Sequence, residues 1–246
     1  MTDKIKTAVI LAAGLGSRLG NMTKAMPKGF LRLGKKPIIE ESIEKLLGAG
    51  IKKIVLVTGY QARHYENLAS NYSEVKTVIN PIYDCSGSLY SLSCARDDVN
   101  EDFLLLESDL IYEKRALSEL IDHERADVIL VSGLTHSGDE VFVEVEEHTL
   151  VNLSKDRSEL KDVFGEFVGI NKVSRGLFAE MIQRIKKEDK KTHRLDYETD
   201  GFAALAKHNR IYCYKLDDLK WCEIDNEKHY QIAINQIYPS VSQLRR

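Results

Sequence analysis

The chain has 246 residues, 43% hydrophobic and 30% charged, with 15 Gly and 4 Pro, which is a globular balance rather than a disordered one. At roughly 100–200 residues per domain this allows one large α/β domain or two small ones. A formal net charge of −3 excludes a strongly basic nucleic-acid binder but leaves room for a small polyanion held by a few placed cations.

Lys4 and Lys6 precede an apolar run, Thr7–Ala13, of signal-peptide length. Glycines and Arg18 follow at once, so the run reads instead as a strand covered on both faces. Pro37 opens a helix in which Ile39, Ile43, Leu46 and Leu47 recur at helical spacing, ended by Gly48 or Gly50. A second buried strand, Lys53–Thr58, closes at Gly59. Helical residues around Ala62–Tyr72 lead to a third strand, Val75–Ile79, and a helix is expected from Ser88 to Arg96. A fourth strand, Phe103–Glu107, runs into the acidic turn Ser108–Asp109. Strands alternating with helices imply right-handed crossovers and a mainly parallel sheet. Beyond about residue 125 strands dominate: Val128–Ser132, Glu140–Glu146, Leu150–Ser154 and Phe164–Asn171. Glu140–Glu146 alternates with period two, so it should have one wet face. Helices return at Arg175–Lys187 and Tyr197–Lys207, followed by a strand, Ile211–Leu216, and a last helix, Asp225–Tyr238. No internal repeat or low-complexity linker appears, and one domain with a β-rich second half is the economical reading.

No run approaches the ~18 apolar residues of a membrane span. The four cysteines (Cys85, Cys94, Cys213, Cys222) form no C-x-x-C pair and lie in apolar segments, so neither a zinc site nor a disulfide framework is expected. A cytoplasmic protein that binds neither nucleic acid nor membrane is the expectation.

The strongest chemical signal is Leu11-Ala12-Ala13-Gly14-Leu15-Gly16-Ser17-Arg18-Leu19, followed by Lys24, Pro27 and Lys28. A glycine loop after a buried first strand exposes backbone N–H groups that cradle phosphates. Arg18 and Lys28 add a forked and a mobile cation for a triphosphate. A Walker loop fails on spacing, because no Gly-Lys-Ser/Thr follows. A dinucleotide fingerprint fails because Leu19 stands where its third Gly belongs, and the second strand ends at Thr58-Gly59 without an acid. Asp109 follows an apolar strand, where α/β folds place functional groups, and Glu107 points the same way by alternation. Asn80-Pro81-x-Tyr83-Asp84-x-Ser86-Gly87-Ser88 reads as a turn before a helix, with Ser86 or Ser88 as its N-cap.

The loop motif with its downstream Pro-Lys resembles the nucleotidyltransferases that make nucleotide-activated small molecules, and the match runs from Lys6 to about Tyr238. The resemblance implies an α/β, Rossmann-like (GT-A-like) fold with a mixed, mostly parallel sheet of about seven strands flanked by helices. Its nucleotide-binding part would be about residues 1–125 and its acceptor-binding part about 126–246. In that family the loop wraps the triphosphate, and the cations matching Arg18 and Lys28 bind the departing pyrophosphate. The aspartate matching Asp109 binds Mg²⁺ together with a second near the C-terminus. Here Trp221-Cys222-Glu223-Ile224-Asp225 offers Glu223 and Asp225, and Asp225 matches better, though an aspartate there also suits an N-cap. The Asn80–Ser88 stretch would lie beside base and ribose.

NPIYDCSGSLYSL, EDFLLLESDLIYEKRAL and SGDEVFVEV look most like cytidylyltransferases acting on 2-aminoethylphosphonate, with phosphocholine cytidylyltransferases next. Lys155 stands where the family places a lysine near the reacting phosphoryl group. Glu107, Asp139, Glu166 and Glu198 are candidates to receive a substrate ammonium, and Tyr197 or Tyr90 to add a cation–π contact. The partners implied are CTP and a small zwitterionic phosphonate or phosphate. Some relatives carry a fused aminotransferase domain, and a homodimer is a further expectation. The rivals are a sugar-1-phosphate nucleotidyltransferase, for which the chain is short, and a nucleotide-binding regulatory module without turnover.

Overall fold

The computed structural model describes residues 4–186 and 188–243; Lys187, read from sequence as helical, lies outside the described residues. Thr7–Ala12 forms β1, six consecutive buried residues. Ala8, Ile10 and Ala12 enter the core on one face of the sheet, Val9 and Leu11 the core on the other, which is why the run is continuously apolar. The same logic gives β2 (Lys53–Thr58) and β4 (Phe103–Glu107), whereas β3 (Val75–Ile79) is a half-buried edge strand whose Ile79 is exposed. The second half supplies β6 (Val128–Ser132), β7 (Phe142–Glu146), β8 (Thr149–Ser154), β9 (Gly165–Val173) and β10 (Tyr212–Leu216). On β7 Val143 is buried while Glu146 is exposed, as alternation requires.

These strands form one nine-stranded sheet in the order β3-β2-β1-β4-β9-β6-β10-β8-β7. β1–β4 are mutually parallel, β9 runs against β4, β6 and β7, β10 runs with β6, and β8 runs against β10 and β7. The sheet is therefore mixed: seven strands share one direction, β8 and β9 are reversed, and the parallel pairings fall among β1–β4 and between β6 and β10. Helices α1 (Ile38–Gly48), α2 (Ala62–Ala69) and α4 (Arg115–Asp122) pack on one face through Ile39, Ile43, Tyr65 and Leu117. On the other face lie α3 (Ser88–Cys94), α5 (Arg175–Gln183) and a π-helical turn, Tyr197–Ala203, through Leu92, Phe178, Met181 and Phe202.

Several elements differ from the sequence reading. A two-stranded ribbon of β5 (Leu110–Tyr112) and β11 (Trp221–Glu223) was not anticipated, nor was α4. Each ribbon strand is only three residues long, too short for a periodicity to register. The last helix begins at α6 (Glu227–Ile232), capped by Asn226 Oδ1 accepting from His229 N at 2.9 Å, so Asp225 is not the N-cap. A π-helical turn, 233–237, joins α6 to α7 (Tyr238–Gln243). Gly87 rather than Ser86 or Ser88 precedes α3, with no side-chain cap. Cys85 is exposed rather than set in an apolar segment, and all four cysteines are free. No helix among the described residues is long and apolar enough to cross a membrane.

A third core matters for the site. Leu19 and Leu31 from the segment after β1 meet Ile111 of β5, Ile224 after β11, and Ala233 and Val241 of the C-terminal helices. Fully burying such a side chain stabilises by about 1.5–3 kcal/mol. This packing draws the segment after β1 and the C-terminal helices together around the β5–β11 ribbon.

Candidate active site

Leu11, at the end of β1, stands in register with Glu107 at the end of β4, so the glycine loop leaves the sheet beside the acidic turn. Gly16 holds a left-handed φ of 63°, and its carbonyl accepts from Thr23 Oγ1 at 3.0 Å and from Leu19 N at 3.1 Å. Gly14 is exposed, and a Cβ placed on it would meet nothing within 4 Å. A cavity of about 240 Å³ opens here, lined by Leu11, Ala13, Gly14 and Gly16, by Ser86, Gly87 and Ser88, and by Lys28, Asp109 and Lys155. Ala12, Ser17, Arg18 and Asn80 do not line it. Asn80 is fully buried and shapes the turn from beneath, donating to Ser86 Oγ at 2.9 Å and Ser91 Oγ at 3.0 Å. Ser88 Oγ donates to Asp196 Oδ1 at 3.2 Å and accepts from Tyr197 N at 3.0 Å, so it ties α3 to the π-helical turn.

The β5–β11 ribbon brings the acids together. Ile224 N donates to Asp109 O at 3.3 Å, and Glu107, Asp109 and Glu223 each offer a carboxylate oxygen within 4.8 Å of the others. Lys28 Nζ pairs with Asp109 and lies 2.6 Å from Asp225 Oδ1 and 3.6 Å from Glu223 Oε1. Burial alone would lower the Lys28 ammonium, but Asp109, Glu223 and Asp225 outweigh it and push it up. Burial likewise acts against ionised Asp225, yet Lys28 and then Arg18 hold its carboxyl below the usual range. Arg18 forks between Asp139 (Nη1–Oδ2, 2.6 Å) and Asp225 (Nη2–Oδ1, 2.8 Å). Burial, then Glu198 and Asp109, push Glu107 up to about 8; burial, Glu107 and Asp109 push Glu223 well up. Such mutually repelled oxygen donors suit a hard divalent cation.

A second cavity, about 300 Å³, lies on the other side of Glu107 and Glu198, which line both. Asp139, Glu166, Glu223 and Asp225 also line it, as do Phe167 and Trp221. Among its lining residues eight carboxylates face one lysine, Lys220. Glu166 is 3% exposed, and its carboxylate accepts from Thr135 N at 2.6 Å and Thr135 Oγ1 at 3.0 Å. Burial pushes it up to about 7 despite those bonds. Tyr197 does not line this cavity: it is fully buried, and its hydroxyl donates to Glu107 Oε1 at 2.5 Å. Its ring packs edge-on to Phe202, 5.9 Å between centroids. Tyr90 lines neither cavity, and its ring lies tilted against His193 with 5.0 Å between centroids.

A sequence profile of the MobA-like NTP transferase domain matches residues 8–199. The chain is a MobA-like NTP transferase. This transferase is 27% identical to the CTP:phosphoglutamine cytidylyltransferase of Campylobacter jejuni over 93% of its own length and 99% of that protein's. It is 34% identical to the CMP-5'-(3-aminopropyl)phosphonate synthase of Streptomyces rubellomurinus, over 51% of this chain and 20% of that protein. Its fold superposes on CTP:phosphocholine cytidylyltransferase (LicC) from Streptococcus pneumoniae with a TM-score of 0.77 at 22% identity, covering 94% and 98% of the two chains. The transferase is thus an enzyme of the nucleotidyltransferase type with the Rossmann-like, GT-A-like fold.

Two residues at the transferase's cavities carried no sequence signal. Thr135 sits in a loop, and its value lies in the carboxylate it braces, 31 positions away. His229 lies on a polar helix, where an isolated histidine is ordinarily read as a solvated residue.

Proposed function

We propose that this transferase moves CMP from CTP to 2-aminoethylphosphonate and releases pyrophosphate. The observation that carries the reading is the pair of cavities sharing the Glu107–Glu198 wall, one lined by the glycine loop and the other by carboxylates. A phosphate-cradling loop takes the triphosphate, and a strongly acidic chamber favours an acceptor that bears an ammonium. Residues of about 1–125 then supply most of the nucleotide site and those of about 126–246 most of the acceptor site, with Lys155 crossing to the first and Glu107 to the second. The S. rubellomurinus likeness, to an enzyme named for an aminoalkylphosphonate, supports the same class.

In this reading a phosphonate oxygen attacks the α-phosphorus in line and the pyrophosphate oxygen leaves with the bond electrons. A phosphonate is already largely ionised at neutral pH, so catalysis is orientation and charge neutralisation. The backbone of Ala13, Gly14 and Gly16 faces the triphosphate beside Leu11, while Ala12 and Ser17 hold the loop from outside the cavity. Arg18 and Lys28 leave their carboxylate partners to meet the pyrophosphate. Lys155, which forms no ion pair among the described residues, approaches the reacting phosphoryl group. Asn80, through Ser86, sets the Ser86–Ser88 turn beside base and ribose. Mg²⁺, held by Asp109 and Asp225 and adjoined by Glu107 and Glu223, would neutralise phosphate charge. Glu107, Asp139, Glu166 and Glu198 receive the ammonium end, with Tyr197 holding Glu107 in place. A reaction drawing on CTP suits the cytoplasmic location expected from the sequence.

A second reading keeps the chemistry and takes phosphocholine, giving CDP-choline. It draws on Phe167 and Trp221 in the acidic cavity, which a quaternary ammonium would need as an aromatic wall. Pyrophosphate release with CTP and Mg²⁺ separates them, using 2-aminoethylphosphonate, phosphocholine and phosphoethanolamine as acceptors. A clear preference for 2-aminoethylphosphonate is expected. A preference for phosphocholine transfers the assignment to the second reading, and silence with all three overturns both.

A further inference from the structure

Asp139, Asp225 and His229 come from three separate places: the loop between β6 and β7, the residue two past β11, and the first turn of α6. Each offers a ligand atom within 4.8 Å of the others. Asp225 faces Lys28 as well, so this group adjoins the Glu107–Asp109–Glu223 set without coinciding with it. His229 supplies the independent observation. It is 5% exposed, and its Nδ1 is buried without a hydrogen-bond partner. Its Nε2 lies 3.4 Å from the carbonyl oxygen of Ser137. A carbonyl only accepts, so in the neutral ring Nε2 carries the proton and Nδ1 presents a bare lone pair. Orphaned buried acceptors of this kind are rare and call for an explanation. The imidazole stands in this group beside two carboxylates, with one buried acceptor nitrogen that no donor meets.

The donor now present is Arg18, whose guanidinium bonds both Asp139 and Asp225. It leaves Nδ1 of His229 unmet. The arginine therefore neutralises the carboxylates but does not complete the set.

We propose that Asp139, Asp225 and His229 form a second divalent-cation site, closed by Arg18 in the resting enzyme, with the Asp225 carboxylate shared between it and the Asp109-centred site. One imidazole nitrogen and two carboxylates favour Mn²⁺, Co²⁺ or Zn²⁺ over Mg²⁺, which prefers oxygen alone. Such a set leaves further coordination positions for water or phosphate oxygens. Departure of Arg18 opens the site, and that departure on triphosphate binding rests on the function proposed above. Asn226 is a positioning residue, because its cap on His229 N fixes where the first helical turn begins.

The test uses the full chain and Mn²⁺ alone, without nucleotide, so a wrong assignment of the reaction would leave its outcome readable. In Asp109→Asn protein, which weakens the first set, electron paramagnetic resonance should count one bound Mn²⁺ with nitrogen coupling in its echo-modulation spectrum. Adding Arg18→Gln should tighten that Mn²⁺ by about tenfold, because a competing cation is gone. Adding His229→Gln instead should weaken it by at least about tenfold and erase the nitrogen coupling. Circular dichroism melting of each variant checks folding, and His229→Asn serves as a second variant if His229→Gln unfolds. Bound Mn²⁺ without nitrogen coupling overturns the proposal, as does unchanged affinity in the folded His229 variants or in Arg18→Gln.

Discussion

The ammonium of Lys28 and the carboxylate of Asp225, 197 positions apart in sequence, meet at 2.6 Å. The contact exists because the segment after β1 and the C-terminal helices share one apolar cluster. Charge at the site is thus held by packing at both ends of the chain.

Lys28→Met should leave Asp109, Glu223 and Asp225 without their shared cation. Removing one partner of a buried pair costs about 3–5 kcal/mol, and urea unfolding at neutral pH should show a loss of that size. Lys28 is raised above its unfolded value, so its contribution is complete below a pH of about 10 and fades above it. Asp225 is depressed, so its contribution is complete above about pH 4 and fades as acid protonates it. The gap between wild type and variant should therefore be widest between roughly pH 5 and 10. A gap that widens in acid would refute the pairing.

Glu107 titrates in the opposite sense. Its carboxyl, pushed up to about 8, binds protons in the native state that the unfolded chain has already released. Stability should then fall as pH rises from about 5 through 8, and Glu107→Gln should flatten the slope. Denaturant midpoints across that range decide it; equal slopes in the two proteins would sink the assignment.

Gly14 and Gly16 make a matched contrast. A methyl on Gly14 has open space, so Gly14→Ala should change unfolding free energy by less than about 0.5 kcal/mol. It should still raise the KM for CTP, because a Cβ stands where phosphate oxygens approach the backbone. Gly16 is left-handed at φ 63°, and Gly16→Ala should cost about 1–2 kcal/mol before any ligand is added. Equal KM values for wild type and Gly14→Ala would remove the loop from the nucleotide site.

Glu166→Gln should raise the KM for an amine-bearing acceptor by about 10- to 100-fold, the worth of a hydrogen bond to a charged group, and leave the KM for CTP alone. Thr135→Val should reproduce a milder version, since Thr135 N still holds the carboxylate. A matching rise in both KM values would mean the substitution acts on the fold instead.

The strands β2, β4 and β6 coincide with their sequence-read bounds because each is a continuous or near-continuous apolar run closed by polar or glycine residues; β3 coincides too, as an edge strand whose apolar residues Lys76 and Thr77 interrupt and Asn80-Pro81 ends. The β5–β11 ribbon was illegible because its information lies in a pairing, Glu223 opposite Leu110, between segments more than a hundred residues apart. The candidate site divides in the same way. Arg18, Lys28, Asp109 and Asp225 stand in recognisable local motifs, whereas His229 and Thr135 acquire their neighbours only through the fold. Strand alternation sets Glu107 on the same side as Asp109, and the ribbon adds Glu223 to them.

Trp221 is the chain's single tryptophan, and its indole N–H is donated to Ser132 Oγ at 2.9 Å inside the wall of the acidic cavity. It does not line the loop cavity. Its indole emission, excited apart from the tyrosines, therefore originates beside one substrate chamber and not the other. The enzyme comes with its own dye, and stopped-flow fluorescence can time the arrival of the acceptor separately from that of the nucleotide, without any label.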